Sequence, residues 1–155
     1  MIAVDVATLD DVKALVLLEG KLFREDAGVH DEFADVTWPD REGADDFVRL
    51  IADPACLVLA ARDGASVVGL LVGYVAGPSS HRQPVTHASL RSMYVDAAYR
   101  RQGVGQQMVE TFLSWGRQQG CAEATVDHYA ANTGAQRFYA RMGFAAQSIS
   151  AVLRL

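Results

Sequence analysis

Residues 2–6 alternate between apolar and polar, as a short strand with one buried face does. The period then lengthens. Thr8 stands at a helix N-cap position with Asp11 three residues on, a variant of the capping box. Val12, Leu15, Val16 and the run 18–23 predict a helix to about Arg24. Residues 28–41 carry no period and predict a loop. Phe47, Leu50 and Ile51 predict a short helix that Asp53-Pro54 ends. Apolar runs at 56–61 and 67–75 flank Asp63-Gly64 and predict a hairpin. Residues 77–84 predict a loop and 85–95 a long strand. Residues 103–119 predict an amphipathic helix, apolar at Val104, Met108, Phe112 and Trp115. A strand at 122–129, a short helix at 132–142 stopped by Gly143, and a strand at 144–155 follow.

This order, β-α-α-β-β-β-α-β-α-β, predicts a mixed α/β fold with a single central sheet. Hairpin-joined strands pair antiparallel, whereas a strand–helix–strand crossover needs a parallel pair. The sheet is therefore expected to be mostly antiparallel, with one parallel pair in the second half.

Composition narrows the picture. The 155 residues suit a single domain over 1–155. Half are hydrophobic and 21% are charged, which excludes a disordered chain. A net charge of −5 argues against a nucleic-acid binder, which needs a basic face. The longest apolar stretch, 67–77, is far short of the about 20 residues a membrane span needs. The first residues lack the basic start of a signal peptide. Cys56 and Cys121 are too few for a disulfide framework or a zinc site, so a cytoplasmic protein with reduced thiols is expected. His30, His81, His87 and His128 show no metal-ligand spacing, and no metal is expected. The charge is lopsided: residues 19–53 hold eleven acidic and four basic residues, and those after Asp53 hold five and nine.

The chemistry concentrates in residues 93–106, MYVDAAYRRQGVGQ. A strand ends, two arginines follow, and Gly-x-Gly opens a long helix. The first turn of a helix has N–H groups with no partner, at the positive end of the macrodipole. Glycine lets a phosphate approach them, and Arg100 and Arg101 add charge. The turn therefore predicts a phosphate cradle. A Walker loop is excluded because Gly-Lys-Ser/Thr is missing. A dinucleotide fingerprint is disfavoured, since Met108 occupies the third glycine position and the turn follows a late strand.

Here the sequence resembles the GCN5-related N-acetyltransferases. Arg100-x-x-Gly103-x-Gly105 is similar to their Gln/Arg-x-x-Gly-x-Gly/Ala loop. Asn132-x-x-Ala135-x-x-Phe138-Tyr139-x-x-Met142-Gly143-Phe144 is similar to their second signature, Asn-x-x-Ala-x-x-Phe-Tyr-x-x-x-Gly-Phe. The proline usual after the strand is Ala97 here. The resemblance, which covers nearly the whole chain, implies a parallel strand pair splayed to hold acetyl-coenzyme A, with helices on both faces of the sheet. It further implies that Met93, Tyr94 and Val95 line the pantetheine arm through their main chain. Arg100, Arg101, Gln102, Gly103, Val104, Gly105 and Gln106 would surround the pyrophosphate, and Asn132 would touch the cofactor arm. Tyr139 matches the family's general acid. Asp127 matches a position proposed as base in the alanine acetyltransferases of ribosomal proteins. Alternation puts Asp127 and its neighbour His128 on opposite strand faces.

The implied activity is direct transfer of an acetyl group to a primary amine. Carboxylates at Asp26, Asp31, Glu32 and Asp35, near Trp38, favour a cationic small molecule such as a polyamine or aminoglycoside. Two alternatives stand beside it: acetylation of a protein N-terminus or lysine, and a non-catalytic module that senses acyl-coenzyme A. A small-molecule amine is the expected partner, with no nucleic acid or membrane, and a homodimer is the assembly considered.

Overall fold

A computed structural model describes residues 1–155. Five strands form one sheet in the order β1-β2-β3-β4-β5: Ile2–Val6, Cys56–Asp63, Ser66–Ala76, His87–Val95 and Glu123–Val126. The first three pairings are antiparallel and β4–β5 is parallel, as the crossover through α4 (Val104–Gln118) requires. Gly64, at φ 58°, turns the β2–β3 hairpin.

Alternation along β2 divides the core. Leu57, Leu59 and Ala61 face α4 and α5 (Thr133–Arg141), whereas Val58 and Ala60 face α1 (Val12–Leu22) and α3 (Trp38–Ala52). Helices therefore cover both faces. Phe112 of α4 is fully buried over Gly73, where a Cβ would lie 2.7 Å from its ring. An irregularity in register between Val72 and Gly73 falls at Arg91 in β4. Below it Ala88 and Leu90 join the α4 side, and above it Tyr94 joins the α1 side. The extra residue re-aims the strand just before the glycine turn, as a bulge does.

Three expectations need correction. The segment 28–41 is not all loop. The first helix runs on through a wider turn at Phe23–Ala27 into a short α2, Gly28–His30, and α3 already begins at Trp38 with Pro39 in its first turn. The strand expected at 122–129 covers only Glu123–Val126, so alternation does not place Asp127 and His128; the box at Thr8 does form, with the Asp11 carboxylate accepting the Thr8 N–H at 2.8 Å. Residues 144–155 form no strand; 145–155 are irregular and exposed, because no neighbouring strand in this chain pairs with them.

Candidate active site

The parallel pair is short. His87 to Leu90 pair with Glu123 to Val126, but β4 continues to Val95 with only β3 beside it. The chain leaves the sheet after Val126, so a gap opens along the upper half of β4. At the head of the gap, Asp96 caps a tight turn at Ala97–Tyr99 by accepting the Ala97 N–H at 2.9 Å. Arg101 (φ 61°) and Gly103 (φ 79°) then swing the chain into α4. No carbonyl of the chain accepts the N–H groups of residues 101–106. Six consecutive donors thus converge on a helix start, where only solvent or a ligand can satisfy them. A Cβ at Gly103 would meet nothing within 4 Å, and Gly105 lies over the Phe138 ring and the Met93 methyl. These donors, beside an unpaired strand edge, fit a phosphate-bearing arm laid along β4.

The two arginines differ. Arg100 braces the protein: its Nε donates to the Val95 carbonyl at 2.8 Å, its Nη2 reaches Glu25 at 3.2 Å, and its guanidinium lies 5.2 Å from the Tyr94 ring centre. Arg101 is exposed and in no ion pair, so its charge is available to a ligand. Gln102 donates to the Ala98 carbonyl and Gln106 to Glu110.

The far wall comes from α1, its wide turn and α5. Tyr94 donates to Glu25, and burial together with that carboxylate pushes its phenol up to about 12. Asn132 caps α5 by accepting the Ala135 N–H at 3.0 Å, and its amide donates to Asp26 at 2.9 Å. Asp26 also lies 3.6 Å from His30, whose ring packs on Tyr129. Tyr139 is buried between Phe138 and Phe144, both edge-on, and its phenol is pushed up to about 12 by burial and then by the Asp26 charge. His128 stacks on Tyr139, with ring centres 6.0 Å apart. Asp127 is exposed, in no ion pair.

The acidic segment divides. Asp26 faces Asn132 and Tyr139. Asp35 instead closes the turn before α3, accepting from Thr37 and Arg41, which hold its carboxyl below the usual range. Trp38 stacks on Phe23 at 5.8 Å, beside a separate depression rimmed by Arg41, Glu42, Asp45, Asp46 and Arg49. Sequence spacing gave no sign of the Asp26–Asn132 contact, which spans 106 positions, or of the Glu25 link to Tyr94 and Arg100.

Comparison with known proteins fits this geometry. A family model described as "Acetyltransferase (GNAT) family" matches residues 22–144. The chain belongs to the GNAT acetyltransferases. It is an N-acetyltransferase, as relatives of this family attest. The aminoglycoside N(6')-acetyltransferase type 1 of Serratia marcescens is 35% identical over 117 residues, which is 70% of this chain and 77% of that protein. Among solved structures, a mutant of the BH1408 protein from Bacillus halodurans aligns with a TM-score of 0.89 at 18% identity, covering 99% of each chain. Aminoglycoside acetyltransferase AAC(6')-Iy, solved with a coenzyme A bisubstrate analogue, aligns with a TM-score of 0.82 at 16% identity, covering 100% of this chain and 98% of that one. At those identities the structures speak for the fold. No helix of this GNAT protein is long and apolar enough to cross a membrane.

Proposed function

We propose that this single domain transfers an acetyl group from acetyl-coenzyme A to a primary amine of a small cationic molecule, of the aminoglycoside or polyamine kind. The observation that carries the reading is the run of six unaccepted N–H groups at 101–106 beside the open edge of β4. Those donors and Arg101 hold the pyrophosphate, and the free main-chain groups of Met93 and Val95 hold the pantetheine amides. The Val95 carbonyl is shared with Arg100, which fixes the strand end. Val104 and Gly105 let the helix start come close, while Gln102 and Gln106 flank it. Asn132 ties α5 to Asp26 and borders the cofactor arm.

Acetyl-coenzyme A supplies the acetyl group as a thioester, from which a thiolate departs. Tyr139 donates the proton that the departing sulfur takes up; a phenol raised to about 12 stays protonated at neutral pH. Asp127, exposed and unpaired just beyond β5, accepts the proton of the attacking amine directly or through water. Asp26, with Asp31 near by, draws a cation towards that amine position.

Support for a small-molecule acceptor comes from the Serratia marcescens relative, whose name specifies an aminoglycoside. The test is coenzyme A thiol release over a panel of amines, with mass spectrometry of the products. Turnover of polycationic amines well above neutral ones at low salt supports the reading. Equal turnover removes the cationic acceptor. Cofactor binding without thiol release favours a sensor, and turnover of peptides alone favours the protein acetyltransferase.

A further inference from the structure

The acetyl-transfer reading leaves one set of contacts unused. Above Leu90 and Val126 the gap has two lips: β4 with its turn, residues 91–106, and the chain from Asp127 through α5. No backbone hydrogen bond joins them. On the α4 side they meet through carbon, where Gly105 lies against Phe138 and Met93. On the other side they are linked through α1 and its wide turn.

Two neighbouring stripes of that helix make the link. Lys21 and Glu25, one turn apart, face the β4 lip. The Lys21 ammonium lies 3.1 Å from Asp96, which caps the tight turn. Glu25 accepts from the Tyr94 hydroxyl and, at 3.2 Å, from Arg100 Nη2. Asp26 and His30, also one turn apart, face the other lip. Asp26 accepts from the Asn132 amide at 2.9 Å, and the His30 ring centre lies 5.3 Å from that of Tyr129. Phe23 opens the wide turn and is itself stacked on Trp38 of α3. Wide turns of this kind collect at functional sites. The Cα atoms of Glu25 and Asp26 are only about 3.8 Å apart, so a single peptide unit spans from one lip to the other.

We propose that Glu25 and Asp26 form a clasp across the cofactor gap, with Glu25 a positioning residue that sets Asn132 and Tyr139 against the arm laid along β4. Tyr139 must come within hydrogen-bond reach of the departing sulfur to give up its proton. The sulfur is carried by the β4 lip and Tyr139 by α5, so slack in the gap enters that distance directly. The donors at 101–106 lie on one lip alone, and the grip on the cofactor does not depend on the clasp. The kinetic consequence rests on the acetyl-transfer reading, whereas the clasp itself does not.

Glu25→Ala opens the clasp at one end. Asn132→Asp opens it at the other and keeps the α5 cap, because Asp caps as well as Asn. Lys21, Glu25 and Arg100 are half exposed, so loss of their pairs costs little stability and circular dichroism should show the variants folded. In amide spectra of the chain without cofactor, Glu25→Ala should move the resonances of residues 132–135, and Asn132→Asp should move those of Tyr94 and Arg100. Changes confined to each variant's own lip would overturn the clasp, whatever the chain acetylates. In thiol-release kinetics Glu25→Ala should lower kcat about tenfold and leave the affinity for coenzyme A within about twofold. Glu25→Gln, which still accepts from Tyr94, should restore most of the rate. In a Tyr139→Phe background Glu25→Ala should change kcat by less than about twofold, because the proton that it places is gone. Additive losses, or a fall in affinity as large as the fall in kcat, would contradict the positioning role. A parent that releases no thiol with any amine removes the acetyl-transfer reading instead, and the amide spectra then decide the clasp alone.

Discussion

The two walls of the cleft are built on different principles. The β4 side is made of backbone: an unpaired strand edge, two left-handed residues and a helix start with free donors. The α1–α5 side is made of side chains from distant positions, with Asp26 joined to Asn132 and Glu25 to Tyr94 and Arg100. A backbone site grips a feature that every cofactor molecule carries. A side-chain site can be altered one residue at a time without disturbing the grip. This division suits a protein that keeps one co-substrate and selects among amines.

If the division holds, single changes should affect one wall and spare the other. The largest effect is expected at Tyr139→Phe, which keeps the packing against Phe138, Phe144 and His128 but removes the proton donor. Steady-state kinetics should show turnover falling about 100-fold, with calorimetric affinity for coenzyme A unchanged. A large loss of affinity would place the hydroxyl on the cofactor side instead. Next is Gly103→Val. There is room for the side chain, but φ 79° is strained for a branched residue, at a cost of about 1–2 kcal/mol. Relaxation of that turn should misalign the donors, so affinity for acetyl-coenzyme A should fall about tenfold, an effect of about 1.4 kcal/mol. Selectivity among amines should not change.

Asp26→Asn sharpens the comparison from the other side. It should raise KM for a polycationic amine several-fold and flatten its dependence on salt, leaving the coenzyme A affinity within error. The smallest effect is on stability. Glu19 is buried against Ser92, with one carboxylate oxygen unpartnered, and burial raises its pKa. A raised carboxyl favours the folded state below the unfolded value, and that contribution is lost as pH rises through the folded value. Glu19→Gln should therefore raise the melting temperature at neutral pH by about 2–4 °C per kcal/mol relieved and reduce the fall in stability between acid and neutral pH.

The same division explains what could be read from the sequence. A left-handed turn and a close phosphate approach demand glycine at fixed spacing, so Gly103 and Gly105 announce their wall. Asn132 likewise shows as an N-cap, because capping is local. The antiparallel hairpin and the one parallel pair followed from alternation and from the one crossover. The α1–α5 wall is different: Asp26 reads as one acid among eleven until folding brings it to Asn132. Asp35 and Trp38 share the same acidic segment but turn to local work, a turn closure and a stack on Phe23. The segment 144–155 carries a partial strand pattern, yet a strand also needs a neighbour to pair with, and none in this chain stands beside it.

The central claim is that the donors at 101–106 hold the diphosphate of coenzyme A. A titration with coenzyme A, followed by the backbone amide resonances of those six residues, tests it most directly. The account predicts saturable binding, with the largest downfield shifts among the protein's amides at these positions as their protons meet phosphate oxygen. Saturation that leaves these six resonances where they were, or no binding at millimolar coenzyme A, would contradict it.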